Sequence, residues 1–105
     1  MNKKQIRADF RAAVFARDHF QCRCCGRPGY DRQGEPQEGR VPLDAHHIIP
    51  RDLMPKGGYV AQNGISVCDE CHIKAETGGP GFEPEDLFAL IGSSEEAAIA
   101  ASEVL

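Results

Sequence analysis

Two Cys-x-x-Cys pairs constrain the fold of this chain more than any other feature of its sequence. The first pair is Cys22 and Cys25, the second is Cys68 and Cys71, and 42 residues lie between them. A two-residue spacing lets one turn of chain present two thiolates to one ion, and two such turns complete the tetrahedral set that Zn²⁺ accepts in a closed structural site. The pattern therefore predicts a structural zinc ion, with a long segment inserted between the two halves of its site.

The other features of the cysteines favour metal over disulfides. The chain has five cysteines, and an odd number is awkward for a disulfide framework. The basic N-terminus lacks an apolar stretch and a cleavage site, so we expect no secretory signal and a reducing, cytoplasmic location. Cys24 has the wrong spacing for a zinc knuckle and is interpreted as a free or packed thiol. Ordinary core cysteines or redox thiols are the alternative to zinc.

Charge is unevenly distributed along the 105 residues. Residues 1–58 carry 11 Lys and Arg against 7 Asp and Glu, whereas residues 59–105 carry one Lys against 9 acidic residues, which together give the net charge of −4. A local positive field matters more for phosphate binding than the total charge. The first half of the chain could therefore face a nucleic acid, and an uneven solvated surface is the alternative. No apolar run is long enough to span a bilayer, so no membrane partner is expected.

Hydrophobic periodicity and turn residues predict a small α+β chain. The expected elements are a helix over residues 5–18, a loop over 26–42, an extended segment over 41–49, a loop over 50–62, a strand over 65–67 after an Asn63-Gly64 turn, and a helix over 69–76. Pro84 and Gly92 bracket a further helix, and Ser93 with Glu96 resembles a capping box for a last helix at about 94–104. We expect one domain over residues 1–105, with a core at about 5–78 and a C-terminal helical extension at about 80–105.

The segment inserted between the cysteine pairs contains two adjacent histidines, His46 and His47. Neighbours on an extended chain point to opposite faces, so one could ligate a metal ion while the other works as a base. His72 directly follows Cys71, so a zinc knot would fix its helix relative to the strand. A single histidine usually has no chemical role, which is our interpretation of His19; the group together indicates a second, open metal site.

These residues, taken in order and spacing, closely resemble the HNH endonucleases over about residues 5–77. The matching runs are Val14-Phe15-x-Arg17-Asp18-x-x-x-Cys22-x-x-Cys25-Gly26, Leu43-Asp44-Ala45-His46-His47-Ile48-Ile49-Pro50 and Asn63-Gly64-Ile65-Ser66-Val67-Cys68-x-x-Cys71-His72. The resemblance implies a ββα-metal (His-Me finger) core with a four-cysteine, zinc-ribbon-like knot. An N-terminal helix and C-terminal helices would flank this core.

The resemblance also implies a role for each residue of the inserted segment. His46 would ligate the catalytic metal, His47 would be the general base, and His72 would be a second metal ligand on the helix. Asn63 would brace the loop between the two strands through side-chain hydrogen bonds. Colicin nucleases place a further histidine where this chain has Glu76, which shares a helical face with His72. Glu76 could be a third ligand, a water-mediated ligand or a surface residue.

The activity that the resemblance implies is metal-dependent hydrolysis of DNA phosphodiester bonds, by nicking or double-strand cleavage. A neutral imidazole can take a proton from water near pH 7, and one divalent ion, Mg²⁺, Mn²⁺, Ni²⁺ or Zn²⁺, can stabilise the scissile phosphate. Arg17, Arg51 and Lys56 are candidate DNA contacts, with solvated surface charge as the alternative for each.

Two other functions stay open at this stage. The first is a non-catalytic zinc-ribbon module that binds nucleic acid or protein, which explains the cysteines but not the histidines. The second is an accessory protein, for example in phage packaging, that keeps the fold without the chemistry. The sequence shows no recognisable specificity domain, which favours either low sequence specificity or reliance on a partner protein, such as a phage packaging protein.

Overall fold

The computed structural model describes residues 2–105 and has an α+β architecture. Its helices and strands are α1 (Lys3–Arg17), β1 (Gly29–Asp31), β2 (Val41–His47), β3 (Gly64–Val67), α2 (Asp69–Thr77), α3 (Pro84–Leu90) and α4 (Glu95–Glu103). Short 3₁₀ turns between β2 and β3 lie at Arg51–Leu53, Pro55–Gly58 and Ala61–Asn63. The predicted small α+β class is therefore confirmed. Within residues 2–105, no helix combines the length and the apolar character that crossing a membrane requires.

The sheet places β2 in its centre. Strand β1 runs parallel to β2, and β2 pairs with β3 in the antiparallel direction. Helix α2 follows β3 directly, so β2, β3 and α2 form a ββα unit. The prediction of a loop over residues 26–42 is wrong at β1, because Gly29–Asp31 pair with residues 41–43 of β2. Three residues that begin with glycine carry no strand pattern of their own, and only the tertiary pairing makes them a strand.

Helix α1 packs against β3 at a glycine. The side chain of Asn2 caps the helix by accepting a hydrogen bond from the Gln5 amide at 2.8 Å. A Cβ atom at Gly64 would lie 2.5 Å from Val14 Cγ2 and 2.7 Å from Phe10 Cε1, so glycine permits this close approach. Gly64 has an extended backbone with φ of −126°. The predicted Asn63-Gly64 turn is therefore wrong, and the glycine serves helix packing instead.

Arg17 and Asp18, at the end of α1, tie the helix to β3. The buried Asp18 carboxylate accepts hydrogen bonds from Arg17 Nε at 2.8 Å and from the Ser66 amide at 2.9 Å. The Arg17 guanidinium also donates to the carbonyls of Ala61 at 2.6 Å and Gly64 at 2.7 Å. This network fixes α1 relative to the strand and the loop that border the candidate site.

The C-terminal helices pack into the same hydrophobic core as the sheet. Leu87, Phe88 and Ala98 are buried there. The last helix is capped by Ser94, whose Oγ accepts from the Ala97 amide at 3.1 Å, and not by Ser93 as predicted. The Ser93 hydroxyl instead donates to the Gln62 carbonyl at 2.9 Å, so it is used to hold the loop before β3.

Candidate metal centres and active site

The structure brings the two cysteine pairs together into one cluster. The Sγ atoms of Cys22, Cys25, Cys68 and Cys71 all lie within 4.8 Å of one another. Cys25 Sγ and Cys68 Sγ are 3.7 Å apart. A tetrahedral zinc site with Zn–S bonds of about 2.3 Å separates its sulfur atoms by about 3.8 Å. The cluster could therefore hold one metal ion, and its spacing and ligand type suit zinc.

Backbone hydrogen bonds shape both halves of the cysteine cluster. In the first half, the Gly26 amide donates to the Cys22 carbonyl at 2.8 Å, and Gly26 has a φ of +82° that favours glycine. In the second half, the His72 amide donates to the Cys68 carbonyl at 2.8 Å in the first turn of α2. The Arg23 amide donates to the Ser66 carbonyl at 3.0 Å and so joins the first half to β3.

The thiols of the cluster differ in how easily they ionise. The neighbouring Cys24 side chain lowers the pKa of Cys22 to about 3. Burial raises the pKa values of Cys25 and Cys71. Closely spaced sulfurs cannot all carry negative charge without a compensating cation, and a divalent ion removes this conflict. Cys24 is partly buried and packs against the core, as expected for a packed thiol that is not a metal ligand.

A second cluster of possible metal ligands lies where β2 meets α2. His46 comes from the strand, and His72 and Glu76 come from one face of the helix; the three offer ligand atoms within 4.8 Å of one another. The rings of His46 and His72 have centroids 5.1 Å apart, and His72 Nε2 lies 2.9 Å from Glu76 Oε1. Two imidazoles and a carboxylate form a donor set typical of an open divalent-metal site.

Asp44 lies behind this second cluster. Because side chains alternate along a strand, Asp44 and His46 share one face of β2. Asp44 Oδ2 lies 3.4 Å from His72 Nδ1, on the opposite side of the ring from Glu76. Arg32 Nε in turn donates to Asp44 Oδ1 at 3.1 Å. A carboxylate at Nδ1 favours the tautomer that leaves Nε2 available to a metal ion.

His47 lies beside this cluster and is held between two aromatic rings. Its ring stacks on Phe10 of α1 at a centroid distance of 4.5 Å and meets Tyr59 edge-on at 4.7 Å. Burial and then the charge of Arg51 lower the pKa of His47 to about 4, and burial likewise lowers that of His46 to about 4. Both rings are therefore neutral near pH 7. The Nε2 atom of His47 is buried and has no hydrogen-bond partner among residues 2–105.

Asn63 holds the chain on both sides of the loop between β2 and β3. Its Oδ1 accepts from the Ile49 amide at 3.0 Å, and its Nδ2 donates to the carbonyls of Ile49 at 3.1 Å and Gly58 at 3.3 Å. The Asn63 side chain is fully buried. These bonds fix the backbone that follows His47 and the turn that precedes Tyr59.

His46, His47, His72 and Glu76 open into one cleft of about 880 Å³. The basic side chains that line it are Lys3, Arg7, Arg51 and Lys56. Two of the three candidate DNA contacts, Arg51 and Lys56, therefore border the cleft. Arg17 does not line it, and its guanidinium donates to protein acceptors. Lys56 Nζ donates to the carbonyls of Glu103 and Leu105 at 2.9 and 2.7 Å, so α4 borders the same loop.

A comparison with protein-family models matches residues 22–78 to the family described as HNH endonuclease. The match covers more than half of the 105 residues and includes both metal-ligand clusters. The chain belongs to the HNH endonuclease family. A search of curated proteins and a search of solved structures each found no match.

Membership of the HNH family implies a ββα-metal fold, a nucleic-acid substrate and the use of divalent metal ions. In this HNH protein β2, β3 and α2 supply the ββα unit, and the candidate ligands lie on β2 and α2. The structure places four of the predicted site residues, His46, His47, His72 and Glu76, around one cleft, while Asn63 lies behind it under the loop.

Sequence reasoning missed the residues that surround the histidines in this HNH site. Phe10 and Tyr59 contact His47, Asp44 lies at His72, and Arg7 lines the cleft. Asp44 could have been found from its two-residue spacing to His46 on a strand. The contact between Phe10 and His47 could not, because it depends on how α1 packs across the sheet.

Proposed function

We propose that this HNH protein is a metal-dependent endonuclease that hydrolyses phosphodiester bonds in DNA. One observation carries the proposal: the neutral His47 ring lines the same cleft as the His46, His72 and Glu76 cluster. A neutral imidazole next to a candidate metal site is the pairing that activation of water requires. A zinc-binding module without catalysis has no need for it.

The two clusters would take different metal ions. The four cysteines would hold a structural zinc, and closure of their site leaves no position for substrate. His46, His72 and Glu76 would hold the catalytic ion, and their two imidazoles favour Mn²⁺, Ni²⁺ or Zn²⁺ over Mg²⁺. When bound there, a divalent ion neutralises charge on the scissile phosphate and on the departing oxygen.

The residues around the two histidines hold each ring in its working orientation. Phe10 and Tyr59 restrict rotation of the His47 ring, so the ring keeps one orientation towards the cleft in which it would accept a proton from water. Burial lowers the pKa of His47 and keeps its ring unprotonated at neutral pH. Asp44 holds His72 in the tautomer that presents Nε2.

DNA would enter along the basic wall of the cleft. Lys3 and Arg7 come from α1, while Arg51 and Lys56 come from the loop after β2. Lys3, Arg7 and Arg51 would contact phosphates without reading the base sequence, and they would supply affinity without specificity. Lys56 would join them only by giving up its hydrogen bonds to the carbonyls of Glu103 and Leu105. We therefore propose that any sequence preference comes from a partner protein or from the DNA shape.

Cleavage of supercoiled plasmid by the zinc-loaded protein, with added Mg²⁺, Mn²⁺, Ni²⁺ or Zn²⁺, tests this function. The parent should convert plasmid to nicked or linear DNA with at least one of these ions, and His47→Ala should not. Zinc content and melting temperature of both proteins serve as the control for folding. Binding of DNA without cleavage by the folded parent would instead support the non-catalytic zinc-ribbon module.

A further inference from the structure

A second group of polar side chains lies in the cleft next to His47. Arg51 Nη1 donates a hydrogen bond to the Tyr59 hydroxyl at 2.7 Å, and the Arg7 side chain lines the same cleft. Arg7 belongs to α1, whereas Arg51 and Tyr59 lie in the loop between β2 and β3. We call Arg7, Arg51 and Tyr59 the arginine–tyrosine group.

The arginine–tyrosine group places two positive charges in one cleft without a carboxylate partner. Neither Arg7 nor Arg51 forms an ion pair with an acidic side chain in the part of the chain that the structure describes. Other arginines do so: an acidic oxygen lies within 4.0 Å of Arg11, Arg17, Arg23, Arg27 and Arg32. Two guanidinium groups in one cleft with unused donors are suited to an anion with several oxygen atoms, and the planar guanidinium matches phosphate well.

The arginine–tyrosine group and the metal-ligand cluster adjoin different histidines. Tyr59 contacts the His47 ring, while the ring of His46 faces His72. Neighbours on β2 direct their side chains to opposite faces, so the two groups form around side chains that leave the strand in different directions. A phosphate held by the arginines would then be a different one from a phosphate held beside His46.

We propose that Arg7, Arg51 and the Tyr59 hydroxyl form a subsite for the phosphate that flanks the scissile phosphate in a nucleic-acid strand. This inference rests on the proposed nuclease function and adds a second contact point on the substrate. Lys3 lies one helical turn before Arg7 and also lines the cleft, so it adds another basic side chain on the same face of α1. A substrate with a single phosphodiester cannot use the subsite.

Two substrates separate the flanking phosphate from the scissile one. Bis(p-nitrophenyl) phosphate has one phosphodiester and no neighbour, whereas a short oligodeoxynucleotide has flanking phosphates. In Arg7→Gln and Tyr59→Phe, kcat/KM for the oligodeoxynucleotide should fall by about 10- to 100-fold more than for bis(p-nitrophenyl) phosphate, since charge-assisted hydrogen bonds are lost. The loss should appear mainly in KM. Tyr59→Phe keeps the ring against His47, so it isolates the hydroxyl.

Lys4→Gln is the matched control. Lys4 is exposed on the same helix beside Lys3 but does not line the cleft, so removing its charge should leave both substrates unaffected within about twofold. Arg7→Lys keeps the positive charge but loses the paired N–H donors of the guanidinium, so its kcat/KM for the oligodeoxynucleotide should lie between those of Arg7→Gln and the parent.

Equal losses on both substrates would overturn the inference, because the arginines would then act on the scissile phosphate. Unchanged kinetics of Arg7→Gln on both substrates would also overturn it. If the parent protein hydrolyses neither substrate with any of the divalent ions, the nuclease function itself is wrong, and the subsite falls with it.

Discussion

Replacing Asn63 measures how much its side chain stabilises the loop between β2 and β3. Its fully buried side chain makes three hydrogen bonds, to both backbone groups of Ile49 and to the carbonyl of Gly58. Asn63→Ala removes all three and leaves the Ile49 amide without its acceptor. At about 1 kcal/mol for each bond, and more for a buried donor left unpaired, the free energy of unfolding should fall by about 3 kcal/mol. That corresponds to a melting temperature lower by on the order of 15 °C.

Asn63→Asp provides a second, isosteric variant. The carboxylate keeps an acceptor for the Ile49 amide, but it directs an oxygen at the carbonyls of Ile49 and Gly58. At pH 7 it should therefore destabilise at least as much as alanine, and less near pH 4, where a protonated carboxyl group can donate.

Urea denaturation of the zinc-loaded proteins, followed by circular dichroism, measures these changes. Gln62→Ala is the matched control, because Gln62 is the adjacent amide and is exposed. It should change the free energy of unfolding by less than about 0.5 kcal/mol. If Asn63→Ala costs less than about 1 kcal/mol, or no more than Gln62→Ala, the proposed brace is wrong.

Three further predictions concern the metal sites and the base. Cys68→Ser should lose the single tightly bound zinc, measured by elemental analysis, and should melt at lower temperature; a full zinc content would contradict the structural site. Because burial lowers the pKa of His47 to about 4, the cleavage rate at saturating metal should hold from pH 7 to pH 6 and fall only towards pH 4. Arg51→Gln removes a positive charge that lowers the pKa of His47, so the fall in rate at acid pH should move to higher pH. A fall centred near pH 6.5 in both proteins would refute the assignment of His47 as the base. Asp44→Ala should weaken Mn²⁺ binding by about 10-fold in calorimetry, with zinc content unchanged; unaltered affinity would exclude a positioning role at His72.

Local spacing predicted the parts of the molecule that depend on neighbouring residues. Two-residue cysteine spacing shapes a knuckle by itself, and the structure brings both pairs into one cluster. Helix α1 was predicted over residues 5–18 from its apolar periodicity and lies at Lys3–Arg17. In the same way, side chains alternate between the two faces of a strand, which predicted different roles for His46 and His47.

Features that depend on tertiary packing were not predictable from the sequence. Strand β1 forms only because β2 offers it an edge. Gly64 resembles a turn residue after asparagine, yet it is extended and accommodates Phe10. Arg17 was a candidate DNA contact, but the buried Asp18 beside it and two backbone carbonyls take up its donors. Charge in a sequence does not distinguish a phosphate contact from a structural ion pair.

The central claim, that adjacent histidines on one strand divide metal binding from proton transfer, has a direct test. Calorimetric titration with Mn²⁺ and plasmid cleavage are measured together on His46→Ala and His47→Ala. The account predicts that His47→Ala binds the ion nearly as the parent does but cleaves about 10²- to 10⁴-fold more slowly. His46→Ala should bind the ion more weakly and recover part of its activity in excess metal. Loss of metal binding in His47→Ala with retention in His46→Ala would reverse the roles, and full cleavage by both would contradict the account.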